Sequence, residues 1–528
     1  MNTTGNKNQT LQFKMILIFS VLLFALVSRG QKTTEDNFSS DSEQHMLPKN
    51  ERNYLHTSGY IEDVPVAEYR WASRQAYEDF NDMKFGIRIH WGLYSITEQP
   101  KESWPYLTLS HEEKQAYNEL YKTWNPQGFN ANEWMDLFAN SGMKMFAFTT
   151  KHHEGFSMFD TKTRVKRRVN FTSQTGPVIE ECDLAYSIME TPFKRDVVKE
   201  LTDAARERGI KIDLYYSHPD WYDADFRPYV WHPLQVPSSD SLSVRGKDLI
   251  PLDKNHWGDV GAVMTPDPTA EEVDRMIKRH RDQLIELLTN YGKIDMVCLD
   301  MWFGPTIWPK LRETIIELRK IQPDVMFRAR GIGNYGDYYT PERFVPGDKE
   351  NTNVPWFVIY PLGSHFSYEK DSANHKGAKW IVHNIIDCAA KGGNFMVGVG
   401  PNGNGEFHPV AKAQLLQTGK WLKQNGEGIY ATRPRNASFW KENENIRFTR
   451  TKDERSIYVH CFDWPGEQLI LETVKPEKGA QIFLVGNNQA LNWKFNQMGN
   501  LEIETPKNLL DQIPEELQLA FTFKIIEN

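Results

Sequence analysis

The feature that most constrains this chain is an alternation of short apolar runs with amphipathic helical stretches, sustained from about residue 66 to 425. Runs at 85–90, 144–150, 210–216, 294–300, 325–330, 356–360 and 394–400 have the length and the β-branched or aromatic content of buried strands. Helices are predicted between them. One at 131–141 stops at Gly142, and one at 194–208 carries Val197, Val198, Leu201 and Ala205 on one face and ends at Gly209. Thr269 and Glu272 form a capping box for a helix running to Asn290, and further helices follow near 307–321, 376–391 and 409–425. Such alternation builds parallel β/α units, and its length fits one (β/α)8-like barrel. A doubly wound sheet is the alternative architecture, but no GxxxxGK(S/T) phosphate loop occurs.

Beyond residue 430 the pattern changes to short alternating strands near 446–449, 456–462, 481–485 and 517–525, the signature of an antiparallel β-sandwich. Its expected role is to support the barrel, with polymer binding as the alternative. At the other end, Lys7 and Lys14 precede an apolar run from Met15 to Val27 that is short for a membrane span. That layout predicts a secretory signal peptide at 1–30, a flexible polar leader at 31–65, a barrel at 66–430 and a sandwich at 431–528. The expected location is outside the cytoplasm, periplasmic or secreted, without stable membrane insertion after cleavage. An uncleaved anchor is the alternative.

A net charge of −8 argues against nucleic acid or an anionic membrane as the main partner. Cys182, Cys298, Cys388 and Cys461 are scattered without metal-ligand spacing, so no disulfide framework, zinc site or other cofactor is expected. His152-His153-Glu154 is the candidate for a metal. Adjacent histidines on an extended segment point to opposite sides, which argues against it.

In a parallel barrel the C-terminal strand ends share one mouth. Here they carry His90-Trp91, His152-His153-Glu154, Tyr215-Tyr216, Asp300 with Trp302, and Arg330, with Thr340-Pro341-Glu342 on the following loop. Glycoside hydrolysis needs this set: two carboxylates across the glycosidic bond, donors for hydroxyls and an aromatic face for the ring. Asp300, aimed by a strand, is the candidate nucleophile. Glu342 is the candidate acid/base, with burial near Trp302 or Trp356 expected to raise its pKa.

The motifs Phe85-Gly-Ile-Arg-Ile-His-Trp-Gly-Leu-Tyr-Ser95, Thr149-Thr-Lys-His-His-Glu-Gly-Phe156, Leu214-Tyr-Tyr-Ser217, Lys391-Gly-Gly-Asn394 and Trp421-Leu-Lys-Gln-Asn-Gly-Glu-Gly-Ile-Tyr430 resemble the α-L-fucosidases of glycoside hydrolase family 29. The resemblance implies an exo-acting, retaining glycosidase without metal, built as a barrel with a C-terminal β-sandwich. It implies that Asp300 is the nucleophile and that His90, His152, His153, Tyr215 and Arg330 contact the sugar. Glu102 and Trp104 match a Glu-Trp pair interrupted by Ser103, and Glu342 matches a Thr-Pro-Glu acid/base position. Where another branch has a Trp-Glu pair, this chain has Trp356-Phe357. Arg88 stands where an apolar residue is usual.

Insertions at 160–192 and 222–265 follow strand ends and are expected to wall the mouth. The first carries Arg164, Lys166, Arg167 and Arg168, either a solvated face or a subsite for sulfated or acidic glycan. The expected partner is a fucosylated oligosaccharide or polysaccharide, with sulfation and oligomeric state left open. An α-L-galactosidase-type relative, a catalytically silent glycan-binding protein and a metal-dependent hydrolase are the competing readings.

Overall fold

The computed structural model describes residues 46–227, 232–234, 268–346, 354–435 and 439–527. The expected signal peptide, the leader up to residue 45 and most of the 222–265 insertion lie outside these residues. Among the described residues, the first part of the chain has nine strands and nine α-helices. The strands are β1 (Phe85–Ile89), β2 (Met145–Lys151), β3 (Val165–Asn170), β4 (Val178–Leu184), β5 (Lys211–Ser217), β6 (Met296–Asp300), β7 (Met326–Phe327), β8 (Phe357–Pro361) and β9 (Asn394–Gly398). The helices are α1 (Arg52–Thr57), α2 (Arg74–Met83), α3 (His111–Glu119), α4 (Ala131–Asn140), α5 (Val197–Glu207), α6 (Ala270–Thr289), α7 (Trp308–Ile321), α8 (Ala378–Ala390) and α9 (Pro409–Asn425).

Seven strands form one parallel curled sheet in the order β7-β6-β5-β2-β1-β9-β8. Most are buried along their whole length, as strands covered on both faces must be. Among the described residues the ring has no regular eighth strand. Instead an irregular segment bridges the two edges: Ala329 N donates to Tyr338 O at 2.8 Å, Tyr339 N to Pro355 O at 3.1 Å and Arg343 N to Ile359 O at 3.1 Å. Glu342 pairs with Ile359 in this segment, so it sits at the end of a barrel stave rather than on a free loop.

The helix ends follow the sequence signals. Both hydrogen bonds of the Thr269–Glu272 capping box are present. Gly142 adopts φ +82 after α4, and a Cβ there would lie 2.8 Å from the Tyr430 hydroxyl, so the turn needs glycine twice over. At the N-terminal ends of the strands, Tyr77, Phe80 and Met83 of α2 pack against Met145, Met296, Met326 and Phe357, the first residues of four strands. This plug leaves the opposite end as the open mouth.

The C-terminal part has β10 (Arg433–Pro434), β11 (Lys441–Glu442), β12 (Ile446–Arg450), β13 (Ser456–Cys461), β14 (Gln468–Leu471), β15 (Gln481–Leu484), β16 (Trp493–Phe495), β17 (Leu501–Glu504) and β18 (Phe521–Ile526). One sheet runs β10-β12-β13-β18-β15, with β11 against β12, and the facing sheet runs β14-β17-β16. Phe448, Val459, Leu469, Ile482, Ile503 and Phe523 fill the space between them. The sandwich docks on the outside of the barrel helices: Arg447 Nε meets Asp387 Oδ1 of α8 at 2.6 Å, and Trp421 Nε1 of α9 donates to Ala520 O at 2.8 Å.

Two expectations need correction. The leader is not a free tail from Met46 onward. Leu47 is buried, its amide donates to Asn334 Oδ1 at 2.8 Å, and α1 packs at the barrel mouth. Its polar composition hid this, because the few apolar anchors, Leu47 and Ile61, are widely spaced and hydrogen bonds supply the rest. Nor does the 160–192 insertion wall the mouth. It forms the β3–β4 hairpin, bridged to Asp223, and none of its residues lines the pocket described below. Among the described residues, no helix is long and apolar enough to cross a membrane.

Candidate active site

The C-terminal strand ends surround a cavity of about 220 Å3. It is smaller than the roughly 300–1,000 Å3 of sites for drug-sized ligands, a size suited to one monosaccharide. The sequence-predicted residues His90, Glu102, Trp104, His152, His153, Tyr215, Asp300, Trp302, Arg330 and Glu342 all line it. Convergence of these positions follows from parallel registry, with Asp300 level with Ser217 and Tyr215 with Thr149.

Asp300 closes β6, and the next residue, Met301, turns the chain with φ +67. Gly331 makes this turn possible, because a Cβ there would lie 2.3 Å from Met301 O. Asp300 Oδ2 accepts from the Tyr215 hydroxyl at 2.5 Å, and Oδ1 accepts from Arg330 Nη1 at 2.9 Å and Arg328 Nη1 at 3.5 Å. His153 Nε2 lies 4.0 Å away. Burial pushes this carboxyl toward its neutral form. The guanidiniums of Arg330 and Arg328, with His153 and the Tyr215 hydroxyl, outweigh that and hold it well below the usual carboxylate range.

Arg330 is the hinge of the site. Its Nη1 takes Asp300, its Nη2 reaches Glu342 Oε2 at 3.5 Å, and its Nε donates to Asn53 Oδ1 at 3.1 Å. One planar guanidinium therefore spans the gap between the two carboxylates. The burial expected of Glu342 is not found: its side chain is 32% exposed, and its polar partner is Arg330 rather than a tryptophan.

The histidines form one wall. His90 stacks on Phe366 at 5.2 Å, His152 stacks on Tyr215 at 5.5 Å, and the His152 and His153 rings are 4.2 Å apart. The pair does not point to opposite sides as an extended segment would. β2 ends at Lys151, and the turn after it, with Gly155 N bonded to His152 O at 3.0 Å, brings both rings into the pocket. Burial lowers the pKa of His90 and His153 well below the usual value, so both are neutral at pH 7. Nδ1 of each is buried with no partner among the described residues. No group of three or more His, Cys, Asp and Glu side chains among the described residues is arranged to hold a metal.

Glu102 is buried, and its carboxylate accepts from Ser367 N at 2.8 Å. Burial raises its pKa, with His152 opposing. Ser103, the residue that interrupts the Glu-Trp pair, hydrogen-bonds His152 Nδ1 and so orients that ring. Trp104 meets His153 edge-on at 4.9 Å. Trp302 does not offer an open face to a sugar. It is 3% exposed, and His56 of α1 stacks on it at 4.3 Å.

Arg328, Ser103, Asn53 and Arg52 were not singled out in the sequence, yet each lines the pocket or touches a residue that does. Arg328 and Arg88 had a readable signal. Each stands two residues before a predicted mouth residue, Arg330 and His90, and so shares its strand face. Both guanidiniums reach Cys298 Sγ, at 3.2 and 2.7 Å, and Arg88 lies 3.8 Å from Asp213.

The basic cluster on the hairpin is neutralised. Arg164 and Lys166 pair with Asp183, Arg167 with Asp225 and Glu272, and Arg168 with Glu119 and Glu180. Carboxylates thus occupy the guanidiniums and the ammonium that an anionic glycan would need.

Residues 62–427 match the profile described as alpha-L-fucosidase, and residues 441–526 match the alpha-L-fucosidase C-terminal domain. Plasma alpha-L-fucosidase of Pongo abelii is 26% identical over 461 residues, covering 84% of this chain and 89% of its own. Tissue alpha-L-fucosidase of Rattus norvegicus is 25% identical over 496 residues, covering 88% and 92%. Among solved structures, alpha-L-fucosidase isoenzyme 1 from Paenibacillus thiaminolyticus superposes with a TM-score of 0.66 at 25% identity, covering 86% of this chain and 99% of that one. The Thermotoga maritima alpha-fucosidase bound to a mechanism-based inhibitor shares the fold, with a TM-score of 0.65 and 24% identity over 87% of this chain and 100% of its own. A barrel matched over most of its length, a matched C-terminal domain and a pocket with paired carboxylates lead to one conclusion: the chain belongs to the α-L-fucosidase family.

Proposed function

We propose that this glycosidase releases terminal α-L-fucose from glycans by double displacement, with Asp300 as nucleophile and Glu342 as acid/base. The observation that carries the assignment is the Arg330 bridge, which sets an ionised Asp300 and a half-exposed Glu342 on either side of one small pocket. In the first step the Asp300 carboxylate attacks the anomeric carbon as the glycosidic C–O bond breaks, and the Glu342 carboxyl gives its proton to the departing oxygen. In the second step Glu342, now ionised, takes a proton from water. The resulting hydroxide equivalent attacks the anomeric carbon, and Asp300 leaves. Net retention follows from two inversions.

The remaining side chains bind. Neutral His90 and His153 line the pocket, where their imidazoles can exchange hydrogen bonds with sugar hydroxyls. His152, fixed by Ser103, and the buried Glu102 complete the hydroxyl-binding wall. The closed inner end supports exo-action, since a chain cannot thread past it. Relatives that are plasma enzymes, together with the N-terminal apolar run, support export.

The test is kinetic. Asp300→Ala should lose roughly 10³- to 10⁵-fold in kcat on an aryl α-L-fucoside. Glu342→Ala should lose far more on poor leaving groups than on activated ones, with azide restoring turnover of the latter. A screen of aryl α-L-fucoside against aryl α-L-galactoside, with NMR of the first-formed anomer, decides the glycone and the stereochemistry. Inversion would refute the double displacement, and preferential α-L-galactoside cleavage would replace the glycone.

A further inference from the structure

The family match begins at residue 62, yet the segment before it builds part of the pocket. Asn53 is buried, held by Glu51 Oε1 at 3.1 Å, and accepts from Arg330 Nε at 3.1 Å. His56 covers Trp302, and Glu62 accepts from Trp308 Nε1 at 2.7 Å, anchoring the far side of the segment. Helix α1 is thus a wall of the active site.

This wall stands at the open end. His153, Tyr215 and Arg328 at the inner end are each 1% exposed, whereas Glu342 and Arg52 reach solvent. The leaving group departs past the acid/base, so Arg52 faces the leaving-group side. Among the described residues Arg52 makes no ion pair. Its hydrogen bond runs to His56 Nε2 at 3.3 Å, and that ring is held neutral, its pKa pushed down to about 4 by burial and by the guanidiniums of Arg52 and Arg330. The hairpin cations are all occupied by carboxylates, and Arg330 is committed to Asp300 and Glu342. Among the described residues Arg52 alone of these cations has no paired carboxylate, while the charges of Glu342, Asp300 and Glu51 act on it at longer range.

We infer that helix α1 forms the leaving-group subsite and that Arg52 selects leaving groups bearing an anionic substituent, a sulfate ester or a carboxylate on the adjoining sugar. This rests on the fucosidase reading and adds the class of glycan that the site takes. A guanidinium matches the planar or tripodal oxygens of either anion through paired N–H donors.

The experiment uses two aryl α-L-fucosides of matched phenol acidity, one neutral and one carrying a ring sulfonate. At low ionic strength the full-length enzyme should favour the sulfonated substrate in kcat/KM by roughly three- to tenfold, and added salt should erode the preference. Arg52→Gln should bring the ratio to about one, Arg52→Glu should invert it, and Arg52→Lys should keep part of it. Thermal melts establish that the variants fold. Equal kcat/KM for the two substrates in the wild type, or a preference untouched by Arg52→Gln and Arg52→Glu, overturns the inference alone. No cleavage of either fucoside overturns the fucosidase reading and the inference with it.

Discussion

The hydroxyl of Tyr215 donates to Oδ2 of Asp300 at 2.5 Å, and Ser217 Oγ donates in turn to the Tyr215 oxygen at 3.1 Å. The nucleophile is therefore solvated by fixed protein donors rather than by water. Such donors need no reorganisation when charge leaves the carboxylate during attack and returns on its release.

Tyr215→Phe removes a donor that favours the ionised form of Asp300. Its folded pKa lies below the ordinary value, so loss of the bond moves it upward. The acid limb of the kcat/KM profile should shift to higher pH, with the alkaline limb in place. An unmoved acid limb would mean that Asp300 does not set it.

Arg330→Lys keeps a positive charge but cannot span two carboxylates and Asn53 at once. A fall in kcat of about 10²-fold is expected, close to the effect of Arg330→Gln. If Lys restores near-normal turnover, charge matters here and the bridging geometry does not.

Arg328→Met takes one of two guanidiniums from Asp300 while keeping most of the side-chain volume. The expected loss is roughly 10²- to 10³-fold in kcat/KM, together with a raised acid limb. A loss under about twofold would assign Arg328 to the Cys298 and Arg88 cluster alone.

Asn53→Ala leaves Arg330 Nε without its acceptor. Turnover should fall about tenfold, and stability should fall by about 1–3 kcal/mol. Unchanged kinetics would show that α1 does not position Arg330.

Acid stability carries a separate signature. His460 is buried in the sandwich between Thr449 and Thr522, and burial pushes its pKa down to about 3. Its folded pKa is depressed, so the unfolded chain takes up a proton below about pH 6.5 that the folded chain refuses. The stability is complete above that pH and drains away as the pH falls toward 3. His460→Asn should flatten the slope of unfolding free energy between pH 5.5 and 4 by about 1.4 kcal/mol per pH unit. Urea midpoints across that window measure it, and an unchanged slope would show that His460 charges in the folded state.

Much of the site was legible because strand registry converts sequence position into spatial position. Asp300 ends β6 and Tyr215 stands two residues before the end of β5, so parallel pairing brings them to the same end of the sheet, and Arg330 follows three residues after the paired end of β7. Arg328, which touches the nucleophile, and Arg88 were legible at one further step, since each stands two residues before a predicted mouth residue, Arg330 and His90. Other features had no periodic signal. The segment with Glu342 closes the ring through isolated bridges rather than a ladder, so no alternation marks it. The helix at Arg52–Thr57 is polar because its pocket-facing residues Asn53 and His56 meet the Arg330 guanidinium and the Trp302 indole. The strands expected from the sequence all fall in one sheet of the sandwich, and β14, β16 and β17 of the facing sheet were not among them.

Covalent labelling tests the central assignment most directly. The enzyme would be incubated with a 2-fluoro-fucosyl fluoride, digested and mapped by mass spectrometry. A single fluorofucosyl ester on Asp300 is expected, formed in the wild type and absent from Asp300→Asn. A label on Glu342 or Glu102, or labelling that persists in Asp300→Asn, would contradict it.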